Sequence, residues 1–476
     1  MSEIDPFRPA LPRNCAEECH WGRIHGSALG LILGNAARRH DGLIVVVTPD
    51  MRKSEELAHE LRFYLGDAAK QALLTLPDRE TLPYDVFSPH QDIISERLYT
   101  LQKLPAQRQG ILIVPVDTLI VRLPPREYLE AHSLVISRGD HLDPGAFRER
   151  LDKSGYRCVS QVMEHGEYTV RGSLIDLFPM GSAHPYRIDL FDDEVDSIRI
   201  FQPEDQRSKA RIDHIRLLPA NEFPLDEEAV SRFRQGWRSR FPGDPQRSPV
   251  YREVSNQSAP PGIEYYLPLF FTHTHTLFDY LPRNSVVLFE RDMEAVCAER
   301  WTQINERYEQ GRHDMERPLL PPEEVFLPPD EALAQVRVLP HCDLQPFALE
   351  ERPGHYNFRT HAPPALSGAA AGGGQMAALR RFLGEFPGRV LLVAETTGRR
   401  EIMLEMLHDA DFYPTPFPSW EAFLDSDARL GITVALLDRG LLIDEPPIAV
   451  ISESQLHGEQ VMQRRRRKGK ARDSEA

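Results

Sequence analysis

Five short, almost wholly apolar runs punctuate the chain: Leu43–Thr48 (LIVVVT), Ile111–Val116 (ILIVPV), Ser285–Phe289 (SVVLF), Val390–Ala394 (VLLVA) and Ile448–Ser452 (IAVIS). None alternates polar with apolar residues, so each reads as a strand covered on both faces. Helical periodicity falls between them, over Ser54–Tyr64 after the Pro49-Asp50 turn, and over Met293–Gly311, Met376–Phe386 and Arg399–Asp409. Asp117 and Thr118 mark a further helix start, and Ile432–Leu437 a further strand. Buried strands that alternate with helices predict parallel sheets joined by crossovers.

Residues 133–219 break that rhythm. Glu167–Val170, Ser173–Phe178, Tyr186–Phe191 and Ser197–Phe201 are short extended pieces, separated by turn residues at Arg171-Gly172, Pro179–Pro185 and Asp192–Glu194. They predict a small, mainly antiparallel α+β unit inserted in a larger parallel-sheet domain. The fold class is therefore α/β, with that insertion and a separate small α/β domain after the Ala- and Gly-rich stretch Leu366–Gln375. The predicted layout is 1–132, an inserted unit over 133–219, a returning segment over 220–350, a linker over 351–375, a small domain over 376–460 and a basic tail over 461–476.

Composition narrows the function. The 476 residues carry a net charge of −16. Arg464, Arg465, Arg466 and Arg467 lie in a tail of seven basic and two acidic residues, so the body before it holds 49 basic against 70 acidic side chains. Such a body repels a polyanion, and only the tail offers a sequence-neutral nucleic-acid contact. A solvated end is the alternative for that tail. The five cysteines form no CxxC pair, which fits reduced thiols in the cytoplasm rather than a disulfide framework or a zinc ribbon. Neither a signal peptide nor an 18-residue apolar run is visible.

Candidate chemistry is sparse. No GxxxxGK[ST] phosphate loop exists. The nearest segment, Gly26–Gly34 (GSALGLILG), places Gly26, Gly30 and Gly34 four apart, without the lysine or hydroxyl that a nucleotide requires. Leu442–Pro446 (LIDEP) offers an Asp-Glu pair that reads as a turn at Asp444 and Glu445. His273 and His275 in THTHT share one strand face, but no carboxylate or cysteine stands at ligand spacing, so no metal is expected. No GxSxG nucleophile elbow occurs. In the inserted unit, Arg171, Arg187 and Phe191 could share one exposed face if their strands are neighbours, as arginine and aromatic anchors of an interface do. The alternative is surface arginines beside a core phenylalanine.

Three passages carry a family resemblance: ETLPYDVFSPHQDIISERL at 80–98, MEHGEYTVRGSLIDLFP at 163–179 with YRIDLFDDEVDS at 186–197, and GIEYYLPLFF at 262–271 with RPLLPP at 317–322. Together they resemble the N-terminal part of bacterial transcription-repair coupling factors, and the first two more loosely the excision-repair protein UvrB. The resemblance implies a degenerate helicase-like domain that no longer holds ATP, with Gly26, Gly30 and Gly34 as a non-functional phosphate loop. It implies an inserted UvrA-binding domain with contacts at Arg171, Arg187 and Phe191, and register-setting charge at Asp176 and Asp189. It implies a recruitment module without cofactor and with no bond-making step of its own. RNA polymerase and DNA would be partners through the motor and other parts of the full-length family. The competing expectations are a nucleotide-dependent DNA helicase or translocase, and a DNA-binding accessory protein acting through Arg464–Arg467.

Overall fold

The computed structural model describes residues 3–290, 292–363, 366 and 375–457. An eight-stranded sheet forms its centre, in the order Glu3–Ile4, His355–Phe358, His20–Gly22, His341–Leu344, Val286–Glu290, Leu43–Thr48, Gly110–Pro115, Leu73–Thr75. Every neighbouring pair in it is parallel. Val45 stands opposite Leu112 on one side and Val287 on the other. The β-branched runs thus become central strands with no exposed residue. Their alternate side chains feed two cores. Val45, Val47, Leu112 and Val114 pack with Leu98 and Leu101 of the helix Gln91–Lys103. Ile44, Val46, Ile111 and Ile113 pack with Leu31 and Ile32 of Ala28–Ala37 and with Leu61 of Met51–Leu65.

The chain leaves this sheet after Gly110–Pro115 and returns to place Val286–Glu290, His341–Leu344 and His355–Phe358 among strands made more than 200 residues earlier. The excursion holds a six-stranded sheet in the order Ser208–Ile212, Glu194–Phe201, Tyr186–Phe191, Leu174–Leu177, Glu167–Arg171, Arg157–Cys158. Its pairings are antiparallel except the last. A two-stranded ribbon, Leu134–Ser137 against His214–Leu217, closes its neck.

Two expectations need correction. The range 351–375 is not all linker, because His355–Phe358 pairs with His20–Gly22 and Thr360–His361 with Leu441–Ile443. Asn357 anchors that stretch: its Oδ1 accepts from the Leu349 amide at 2.8 Å and its Nδ2 donates to the Leu349 carbonyl at 2.9 Å. The small sheet of residues 360–452 is also less separate than its sequence suggests. One face builds its own core around Leu379, Leu407 and Ile451. The other contributes Leu391, Leu437 and Val450 to the apolar cluster that holds Leu31 and Ile44 of the large sheet.

Glu222, where the chain re-enters from the insertion, lies between Arg79 and Arg97. Arg79 Nη2 meets Glu222 Oε2 at 2.8 Å and Arg97 Nε meets Oε1 at 2.5 Å, all three side chains being buried. Burial opposes ionisation of Glu222, but the two guanidiniums outweigh it and hold the carboxyl at about 2, against an ordinary 4.5. Because the folded value is the lower one, the stabilisation from this group is fully present above pH 4.5 and is lost as pH falls toward 2. Glu222→Ala strands two buried cations and should cost about 3–5 kcal/mol, read as a fall in the urea midpoint at neutral pH. That difference from wild type should shrink as the pH of the titration is lowered from 4.5 toward 2. A variant as stable as wild type at pH 7 would show that the trio does not hold the insertion's neck.

Candidate protein-binding face of the inserted sheet

The inserted sheet is amphipathic by strand alternation. Tyr168, Ile175, Leu177, Ile188, Leu190, Val195 and Ile198 point into the core. The residues between them face outward, and the register aligns them in rows. One row runs Thr169, Asp176, Arg187, Arg199, Arg211 across five strands. The next runs Arg171, Leu174, Asp189, Ser197. Arg171, Asp176, Arg187 and Asp189, singled out from three separate stretches of sequence, therefore stand on one face.

Their roles differ. Arg187 forms a bidentate pair with Asp176, Nε to Oδ1 at 2.7 Å and Nη2 to Oδ2 at 2.8 Å. Its guanidinium also stands over the Phe201 ring, 5.2 Å from the centroid. The Asp176 hydrogen bond comes first in raising the Arg187 pKa. Asp176 is only 3% exposed, so Arg187 is first of all its counterion. Asp189 accepts a longer contact from Arg199 at 3.4 Å. Arg171 is exposed beside the Gly172 turn, where φ is +61°, and donates to the Ser160 carbonyl. Phe191 closes its strand and is 75% exposed, the most exposed large apolar side chain among the described residues. It is not a core residue: Leu190 points into the core, so Phe191, still paired with Glu194 before the Asp192 turn (φ +56°), faces the other way.

Sequence reasoning missed Arg199 and Arg211. The signal was the alternation of Ser197–Phe201 and Ser208–Ile212, which puts both arginines in the Arg187 row once the strand order is known. Elsewhere, Gly26 (φ +55°) precedes the helix Ala28–Ala37, and Gly30 and Gly34 lie within it. Asp444 and Glu445 follow the strand Leu441–Ile443 in an exposed turn. Arg464, Arg465, Arg466 and Arg467 lie outside the described residues.

The histidines gain a partner that spacing could not reveal. Glu127, from the helix Arg126–Ala131, has a ligand-type atom within 4.8 Å of those of His273 and His275. The bridge between Leu123 and His275 fixes this corner. However, His275 Nδ1 accepts the Arg126 amide at 3.3 Å, which leaves the ring proton on Nε2 and makes that atom a donor. A ring in this tautomer does not ligate through Nε2 without giving up that contact.

Comparison with known proteins places these elements. Residues 134–223 match the UvrB interaction domain family, and residues 382–456 match the MFD, D3 domain family. The transcription-repair-coupling factor of Escherichia coli (strain K12) is 39% identical over 462 residues, covering 97% of this chain and 40% of that protein. That of Haemophilus influenzae is 38% identical over 467 residues, covering 98% and 40%. That of Bacillus subtilis is 26% identical over 281 residues, covering 56% and 24%. The chain thus spans about 40% of the length of the first two relatives, and it corresponds to the N-terminal portion of the transcription-repair coupling factors, with the UvrB interaction domain inside it and the D3 domain after it.

Proposed function

We propose that this chain is the recruitment module of a transcription-repair coupling factor and binds UvrA through the outward face of the inserted sheet. One observation carries the reading: within the stretch that matches the UvrB interaction domain, an exposed Phe191 and an exposed Arg171 lie to one side of a charged row whose Arg187–Asp176 pair is already fixed. Aromatic and arginine anchors on a preorganised surface are what a protein partner exploits. The work is recognition, with no covalent step and no cofactor. In the proposed layout, 133–219 is the UvrA-binding insertion, 1–132 and 220–350 form the degenerate UvrB-like domain, and 376–460 is a further small domain. RNA polymerase and DNA would be engaged by the whole factor, in the cytoplasm. No helix among the described residues is long and apolar enough to cross a membrane.

Titration calorimetry of the chain with UvrA tests the reading. Arg171→Ala and Phe191→Ala should each weaken binding by about 2 kcal/mol, roughly 30-fold in Kd. Both sit at exposed positions, so folding stability should stay within about 0.5 kcal/mol of wild type. Undiminished binding by the double variant would overturn the site. Arg187→Ala should behave differently, because it leaves the Asp176 carboxylate buried without its partner. Its chemical unfolding should show a loss of roughly 1–3 kcal/mol whether or not UvrA is present. Wild-type stability in that variant would contradict the counterion role.

A further inference from the structure

The turn that the sequence likens to a lapsed phosphate loop is not open to solvent. Ser27, which precedes the helix Ala28–Ala37, is fully buried. An open helix start would present its first amides to an anion. Here the Ser27 amide donates to the Gly440 carbonyl at 3.3 Å, and the Ala28 amide to His25 at 3.0 Å. The Gly30 amide donates to the Glu60 carboxyl at 3.1 Å. Burial pushes that carboxyl up to about 8, against the opposing pull of the Gly30 amide.

Two of the three glycines are explained by what crowds them. A Cβ on Gly26 would stand 1.9 Å from the Gly440 carbonyl oxygen, and one on Gly30 would stand 2.4 Å from Glu60 Cβ. Gly440 belongs to the small domain and is held there independently. Its amide donates to Gln455 Oε1 at 3.1 Å, and the same oxygen accepts from the Ser452 amide at 2.9 Å. A Cβ on Gly440 would stand 1.8 Å from the Val450 carbonyl oxygen.

The contact extends beyond one carbonyl. Trp420 of the small domain packs edge-on against Tyr64, with centroids 5.3 Å apart at 90°, and Tyr64 Oη shares a 2.8 Å hydrogen bond with Ser27 Oγ. Glu421 pairs with Arg38 at the C-terminal end of the same helix. The small domain therefore reaches both ends of Ala28–Ala37.

We propose that the small domain is the plug of the lapsed phosphate site: its Gly440 loop seats on the start of the helix Ala28–Ala37, closes it to nucleotide phosphates, and in doing so fastens the small domain to the large sheet. The proposal is independent of UvrA binding and gives the D3 domain a role within this chain.

Hydrogen exchange of the whole chain tests it, following peptides over residues 24–36 and comparing Gly440→Val with wild type. The Ser27 and Gly30 amides should be protected in wild type and exchange at least tenfold faster in the variant, while Leu43–Thr48 and Gly110–Pro115 keep wild-type protection. Gly384→Ala, on an exposed helical position with no atom within 4 Å of the new Cβ, should change nothing. Trp420→Ala attacks the same seat from the Tyr64 side without touching the Gly440 backbone, and should also release Ser27; it decides the matter if Gly440→Val unfolds the small domain. Unchanged protection at Ser27 in Trp420→Ala overturns the proposal, as does sub-millimolar binding of a fluorescent ATP analogue by the wild-type chain.

Discussion

The buried trio of Arg79, Glu222 and Arg97 is the point on which the two halves of the large domain depend. It joins the two ends of a long excursion: both arginines precede the insertion, and the carboxylate is the first charged group after it to be sealed from water. An ion cluster is a poor source of net stability compared with apolar packing, since desolvation consumes most of the Coulombic gain. Its value is directional. Arg97 also donates to the Pro77 carbonyl at 2.6 Å, so the returning chain meets the first segment in one arrangement. Glu264 lies alongside, accepting from Ser88 at 3.0 Å, and burial raises its pKa. The insertion's sheet is thereby held at a fixed place relative to the parallel sheet, with the two-stranded ribbon, the His165–Asp92 contact at 2.6 Å and the Gly181 amide on Ser95 Oγ at 2.8 Å as further ties.

The same logic of a fixed frame with a few free groups recurs on the outward face. The Arg187–Asp176 pair is immobilised by two short hydrogen bonds, and Arg199 leans on Asp189 and Ser197. Arg171 and Phe191 project from this frame at strand ends. A partner docking there would order only a few side chains, which keeps the entropic cost of association low.

The parallel sheet was legible because its strands are covered on both faces and so write continuous β-branched runs. Leu43–Thr48 and Ile448–Ser452 appear where the runs stand, and Met293–Gly311 spans the helix its pattern predicts. His355–Phe358 escaped because HYNF mixes polar and aromatic residues and holds no β-branched one; it lies near one edge of the sheet, pairs over only a few residues, and depends on Asn357 for its place. The outward face of the insertion was half legible. Alternation shows which residues leave the core, but only the strand order reveals that Arg187 sits against Asp176 and shares a row with Arg199. Glu127 beside the two histidines, and Gly440 on Ser27, were out of reach, because each joins residues more than 100 positions apart through folding alone.

The order of strands in the large sheet also sets a timetable for synthesis. Leu43–Thr48 needs Val286–Glu290 as its neighbour, and at 5–20 residues per second the ribosome takes roughly 10–50 s to deliver it. For that interval a strand of six apolar or β-branched residues has one hydrogen-bonding edge without its native partner. The inserted sheet, made from contiguous sequence, is free to fold meanwhile. The nascent chain therefore passes through a stage in which its insertion is complete and the sheet that carries it is not, and it is then that chaperones and unintended strand pairing compete for it.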